Sequence, residues 1–407
     1  MKLTYLITLI AFATALLITA PCGAAQAPIK IGASMSTTGA NAAQGQNQLR
    51  GYKLCVKHAN DKGGVLGRKI ELIVEDDQSQ PAAAVRIYEK LITEAKVDLV
   101  LGPYSSGITD AAANVTEKYK MAMLAPNAST TSIYKKGRKF IFSVNPPAKV
   151  QLEGMIDLAA KKGLKTVAVI NGDELYQRAT TQGAIELAKK KGLQVVFVES
   201  YPKGGTDYSA LLDKLKAANP DVVVAGTYFE DAVAITRQMK ALNVNPKMTG
   251  MTVGVDLPKY YEVMGRDAEF MYGSTLWLPE LVELRAGGLV PIARQYPGAR
   301  EFVESYKKEF PGADLSFHSA GGYGGCQVLV EAVKRAGSLD GGKVRDAILK
   351  METNTVYGAF RVDQDGVQIA HKALMFQWQD SKKVIVWPEE LTSATPRFPT
   401  SEWSKRP

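Results

Sequence analysis

Two short, mainly apolar stretches constrain this chain more than any other feature. Val97–Leu101 and Met121–Ala125 each read as a buried strand, and each runs straight into small hydrogen-bonding residues, GPYSSG (Gly102–Gly107) and PNASTT (Pro126–Thr131). About twenty residues separate the two strands, enough for one helix. A parallel βαβ unit brings both polar turns to the carboxyl ends of neighbouring strands. Open α/β sheets bind ligands at that edge. Hydroxyls, a side-chain amide and free backbone N–H groups suit a small polar or anionic group there. They suit neither a metal nor a nucleophilic reaction.

Strand and helix alternate on both sides of this unit. Ile29–Ser34 and Lys69–Glu75 read as strands; Gln46–Asn60 and Pro81–Ala95 read as helices, the second opened by its proline. SVNPP (Ser143–Pro147) interrupts the pattern, because consecutive prolines deny the backbone both helix and central strand. A second series follows, with strands at Thr166–Ile170, Gln194–Glu199, Asp221–Ala225 and Lys247–Gly250. Helices near Gly183–Lys190, Tyr208–Ala218 and Ala232–Ala241 alternate with them, and Phe317–Ala336 and Gly342–Met351 are two more. Val356–Val362, with the turn DQDG, and Leu374–Trp378 suggest a late hairpin, and the tail from Pro388 reads as extended over the surface. The expected fold is α/β: two doubly wound parallel-sheet lobes joined by short crossovers, with a ligand cleft between them. Such a clamp shuts on a small molecule by hinge motion.

The ends and the composition narrow the class. Residues 1–25 combine Lys2, an apolar run from Leu6 to Ala20 and small residues at Gly23 and Ala25, the pattern of a cleavable export signal. Pro21 directly before Cys22 spoils a lipid-attachment motif, and the apolar run is shorter than the ~20 residues that span a bilayer. The rest, about 380 residues, exceeds what one core usually holds. Losing Lys2 lowers the formal charge from +9 to +8, and the basic residues are dispersed, which reads as a solvated surface and not a nucleic-acid footprint. Cys55 and Cys326 remain in the exported chain; pairing and separate burial are both open.

The segments IGASMSTTGANAAQGQNQLRGYKL (from Ile31), NDKGGVLGRKIELIVEDDQSQP (from Asn60), VLGPYSSGITDAAANV (from Val100) and MLAPNAST (from Met123) follow one another in a specific order and spacing. Together they resemble the branched-chain amino-acid class of periplasmic solute-binding proteins that serve ABC importers, over about Ile29 to Trp378. The resemblance implies an amino-terminal lobe of 28–146 plus 276–354. It implies a carboxy-terminal lobe of 147–275 plus 355–387, a three-segment hinge, and a tail of 388–407. It implies no enzyme activity and no cofactor, a monomer in the periplasm, and ABC permease subunits as partners; a ligand sensor that docks on a membrane receptor shares the same features. In such proteins the first lobe grips a carboxylate after its third and fourth strands. The matching positions are Tyr104, Ser105, Ser106, Asn127, Ala128 and Ser129. The second lobe contributes aromatic residues that close over the ligand, matched by Tyr176 and Tyr228, while Tyr323 is expected to enter the cleft from the first lobe.

One position departs from the family. Its amino-acid binders carry a Glu after the strand matching Lys247–Gly250, where it pairs with the ligand's ammonium; Thr252 falls there. A desolvated ammonium without an ionic partner loses on the order of 3–5 kcal/mol. Either Asp256, Glu230 or Asp231 substitutes, or the ligand is a carboxylate with an apolar body and no ammonium, sandwiched by Tyr176, Tyr228 and Trp277. Catalytic motifs are weak by contrast. GSLDGGK (Gly337–Lys343) resembles a phosphate loop but follows a helix and is succeeded by Val344. His58, His318 and His371 lack neighbours at metal-ligand spacing, although His318 lies near enough to Tyr323 to be a site residue. No DNA-binding headpiece precedes Ile29.

Overall fold

The computed structural model describes residues 26–282 and 292–407; the export signal read in residues 1–25 lies outside them. The first sheet is wholly parallel, in the order β2-β1-β3-β4-β5. Its strands are β1 (Ile29–Met35), β2 (Ile70–Asp76), β3 (Leu99–Leu101), β4 (Met123–Ala125) and β5 (Ile141–Ser143). Between them run α1 (Ala42–Asp61), α2 (Pro81–Thr93) and α3 (Ser106–Lys118). Strands β3 and β4 are buried throughout, which is why they read as continuous apolar runs; β5, equally buried, ends in Ser143 and was not expected from the sequence.

The second sheet has seven strands in the order β14-β13-β10-β9-β8-β6-β7. β6 (Thr166–Gly172), β7 (Gln194–Tyr201), β8 (Val222–Gly226), β9 (Met248–Met251) and β10 (Tyr272–Thr275) run parallel. β13 (Leu374–Gln379) and β14 (Lys382–Trp387) extend the sheet antiparallel. Helix α4 (Glu153–Lys161) leads from the crossing into β6, helices α5 (Leu175–Lys190), α6 (Ser209–Ala218) and α7 (Phe229–Ala241) connect the parallel strands, and α8 (Pro258–Met264) follows β9. The chain then returns to the first lobe through α9 (Ile292–Gln295), α10 (Ala299–Glu309), α11 (Phe317–Ala336) and α12 (Gly341–Leu349). The late hairpin is paired differently from the sequence expectation. Gly358–Phe360 (β12) pairs with Thr353–Thr355 (β11), and β13 pairs with β14, whose run KKVIVW sequence reading passed over. The DQDG turn closes a separate loop, with the Asp363 carboxylate accepting from the N–H of Val367.

Helices α1 and α11 lie close enough that a Cβ on Gly51 would overlap the Ser319 carbonyl oxygen, and one on Gly322 would overlap that of Gln48. Cys55 and Cys326 bridge the same two helices in a disulfide with Cα atoms 6.2 Å apart, which resolves the cysteine question in favour of pairing. The tail is held down more firmly than an extended surface segment. Trp403 is buried and donates Nε1–H to the Val244 carbonyl at 3.1 Å. Arg406 stacks on its ring at 3.4 Å and donates to the carbonyl of Asp267 at 2.7 Å. Among the described residues no helix is long and apolar enough to cross a membrane.

The disulfide closes a loop of 271 residues, so it restricts the unfolded chain strongly. Replacing Cys55 and Cys326 together by serine is expected to cost about 2–4 kcal/mol of unfolding free energy. Urea melts followed by circular dichroism measure this, and adding reductant to the wild type should reproduce the variant's curve.

Candidate functional site

The two sheets face each other through the carboxyl ends of their parallel strands, and the turns after β3 and β4 meet the turns after β6, β8 and β9. The lobes are shut. Tyr104, after β3, stands with its ring centroid 6.4 Å from that of Tyr228, which begins α7 on the other lobe, and Tyr176 on α5 lies 5.7 Å from Tyr228. Between them remains a cavity of about 10 Å³, roughly the space of one water centre. Tyr104, Asn127, Ser129, Tyr176 and Tyr228 all line it, so the sequence reading brought together five of its ten site positions.

The other five stand elsewhere. Ser106 Oγ accepts from the N–H of Thr130 at 3.3 Å, tying the two polar turns to each other. Ser105 caps α3 with φ +72° and ψ 151°, a region used almost only by glycine and costing about 1–3 kcal/mol. Ala128 is buried, and its carbonyl accepts from the Tyr134 hydroxyl. Thr252 does not reach the cavity. Its hydroxyl accepts from the N–H of Thr227 at 2.8 Å and donates to the Thr227 carbonyl at 2.9 Å, bracing the turn that carries Tyr228. The next side chain, Val253, lines the cavity instead. Tyr323 turns to the back of α11, where its hydroxyl meets His58 Nδ1 at 2.8 Å and its ring packs on Phe302. Five residues along a helix rotate a side chain by about 140°, which places His318, not Tyr323, at the cleft. Trp277 is likewise buried against Phe302 and lines no part of the cavity.

Four lining residues went unread: Asn145, Gln151, Val253 and Phe317. Asn145, within SVNPP, is buried. Its Nδ2 donates to Ser129 Oγ at 3.3 Å and to Asn127 Oδ1 at 3.4 Å, and its Oδ1 accepts from the Tyr357 hydroxyl at 2.7 Å. Asn127 in turn donates to Gln48 Oε1 at 2.9 Å. On the other wall Gln151 Oε1 accepts from the Tyr176 hydroxyl at 2.7 Å. The signal available in sequence was a lone amide inside a proline-rich crossing, where a solvent-facing residue is the ordinary choice.

The cavity is electrically neutral. Among the described residues no Asp, Glu, Lys or Arg lines it. Burial raises the hydroxyl pKa values of Tyr104, Tyr176 and Tyr228, keeping them protonated as donors. Burial, aided by the Lys383 charge, pushes His318 down to about 3, so its imidazole is neutral; it meets the Tyr104 hydroxyl through Nε2 at 3.3 Å. None of the three acids considered as ammonium partners lines the cavity, although the buried Asp256 carboxylate accepts no hydrogen bond among the described residues. Asp256 is buried with Lys383 Nζ 3.6 Å away, Asp231 is enclosed by donors of its own lobe, and Glu230 lies on the far side of Tyr228. Among the described residues no group of three or more His, Cys, Asp or Glu could hold a metal ion. This arrangement can hold a small molecule by hydroxyl and amide contacts on one side and aromatic faces on the other. It offers no activated nucleophile or charged acid–base pair.

Comparison with known proteins agrees with this geometry. The sequence profile of the periplasmic binding proteins matches residues 28–383. A Leu/Ile/Val-binding protein homolog 7 from Brucella melitensis biotype 1 is 28% identical over 96% of this chain and 99% of that protein. Among solved structures, the leucine-binding protein LivK of Thermotoga maritima MSB8 superposes with a TM-score of 0.77 at 26% identity, covering 88% of this chain and 97% of that one. The fold also matches LivJ of Streptococcus pneumoniae, a branched-chain amino acid transporter substrate-binding protein solved with isoleucine, at a TM-score of 0.76 and 23% identity, over 89% of this chain and all of that one. With two lobes, a shut cleft lined by neutral donors and rings, and a profile match over most of its length, the chain belongs to the periplasmic binding protein family.

Proposed function

We propose that this protein is the solute-capturing component of an ABC importer. It is exported by residues 1–25, and it closes about its hinge on a small carboxylate that has an apolar or aromatic body and no ammonium group. The supporting observation is the neutral cleft with Val253 at the end of β9. A carboxylate can be held there by the hydroxyls of Ser129 and Tyr104, with Asn127 and Asn145 holding the Ser129 turn in place, since charge-assisted hydrogen bonds are the strong kind. An ammonium would have no ionic partner among the lining residues. The rings of Tyr104, Tyr176 and Tyr228 offer faces and edges for a flat apolar body. The small closed volume means that capture begins from an opened form, with closure burying the ligand. Delivery to a permease follows from the family's role. A branched-chain amino acid is the second reading, favoured by the names of the relatives.

Calorimetric titration separates the two. Benzoate- and cinnamate-type acids are expected to bind in the micromolar range or tighter, while leucine, valine and phenylalanine bind at least tenfold more weakly; the reverse order would establish the amino-acid reading. Ser129→Ala removes a donor to the carboxylate and should weaken binding at least tenfold, since such bonds are worth about 1.5–3 kcal/mol. Val253→Glu, by placing an acid beside the cleft, should move the preference toward the amino acids by about tenfold or more in the same titrations.

A further inference from the structure

Tyr228 forms the second-lobe wall of the cleft, yet almost nothing from the first lobe fixes its backbone. What does so is Asp231, one turn into α7. Its Oδ1 accepts from the N–H of Tyr228 at 2.6 Å and from that of Ala232 at 3.2 Å. Its Oδ2 accepts from the Tyr201 hydroxyl at 2.6 Å and from Gln177 Nε2 at 2.7 Å. Tyr201 ends β7 and Gln177 lies on α5, the helix that also carries Tyr176. One carboxylate therefore joins the starts of two helices and the end of an edge strand at the point where both aromatic walls originate. From the other side Gly254, at φ +106°, packs so closely that a Cβ would overlap the Tyr228 carbonyl oxygen. Tyr228 is thus pinned at its N–H by charge and at its C=O by contact.

We propose that Asp231 is the positioning residue of this cleft: its ionised carboxylate holds the start of α7 so that the Tyr228 ring closes over the ligand, and neutralising it loosens the grip. The proposal rests on the reading of the Tyr104–Tyr228 cleft as the ligand site. Four donors converge on the carboxylate, so an added proton on either oxygen must displace one of them. A chamber of about 70 Å³ opens beside Asp231 and gives protons a route to it. Among the described residues its titratable neighbours are Tyr201, Tyr208 and Tyr228, the Lys203–Glu174 ion pair at 2.6 Å, and Glu230, and the first lobe contributes the uncharged Ala40 and Asn41. Burial pushes Asp231 up to about 6 from its ordinary 3.8. The sign follows from linkage. The folded state holds this proton more tightly than the unfolded chain, so the residue's contribution to stability is fully present below pH 3.8 and is lost as the pH rises through about 6. Binding runs the other way, because the charged form does the positioning.

Asp231→Asn keeps the shape and removes the charge. In the wild type, calorimetric affinity for benzoate and for L-leucine should fall about tenfold between pH 8 and pH 5. In Asp231→Asn it should be about tenfold weaker at pH 8 and flat with pH. Tyr201→Phe, which deletes one donor and leaves the carboxylate, should move the midpoint of the wild-type profile upward. Two readouts need no ligand. The protection factor of the Tyr228 amide against hydrogen exchange should drop at least tenfold in Asp231→Asn at pH 8, and the variant should lose the fall in folding constant that the wild type shows between pH 4 and pH 6. An unchanged Tyr228 protection factor, or a binding profile in Asp231→Asn that follows the wild type, overturns the proposal. If neither probe binds the wild type, the ligand reading fails, and the exchange measurement still decides whether Asp231 holds Tyr228.

Discussion

The hydrogen bonds of Asn145 sit where the structure has least freedom to change. The residue lies in the first segment that passes between the lobes, and its amide ties that segment to two others: Ser129 and Asn127 after β4, and Tyr357 beside β12. A buried amide left without these partners would cost about 1–3 kcal/mol. The polar turn that lines the cleft is therefore built on the crossing itself, through a single side chain.

Much of this architecture can be read from the sequence because parallel strands buried on both faces announce themselves. VVVAG in β8 and the short runs of β3 and β4 are apolar without alternation, and the turns behind them are hydroxyl-rich. That position marks out the turns after β3 and β4, and the family resemblance singled out Tyr104, Asn127 and Ser129 within them and Tyr176 and Tyr228 on the other lobe. What escaped depends on rotation and on distant partners. Thr252 and Val253 differ by one residue, yet at the end of a strand one residue turns a side chain to the opposite face. Tyr323 and His318 differ by a rotation about the axis of α11. Asn145 is buried by Tyr357, 212 residues away, and no local pattern encodes that meeting. The pairing of Cys55 with Cys326 belongs to the same kind of fact, fixed only when α1 and α11 pack through their glycines.

A chain with a formal charge of +9 presents a cleft that, among the described residues, no charged side chain lines. Exposed lysines and arginines are dispersed among surface ion pairs of small energetic weight, such as Lys90 with Glu75. Inside, the cleft is lined by tyrosine hydroxyls and amides in place of charge, and these groups hydrogen-bond one another in the shut form. The cleft can therefore collapse to almost nothing in this form.

The anchored tail has a mechanical consequence. Because Trp403 and Arg406 dock on Val244, Asp267 and Glu269, Pro407 is fixed to the second lobe and moves with it in the closure proposed above. A reporter dye or fusion attached there would trace the lobe's arc directly, its distance to a mark on the first lobe shortening with each closure.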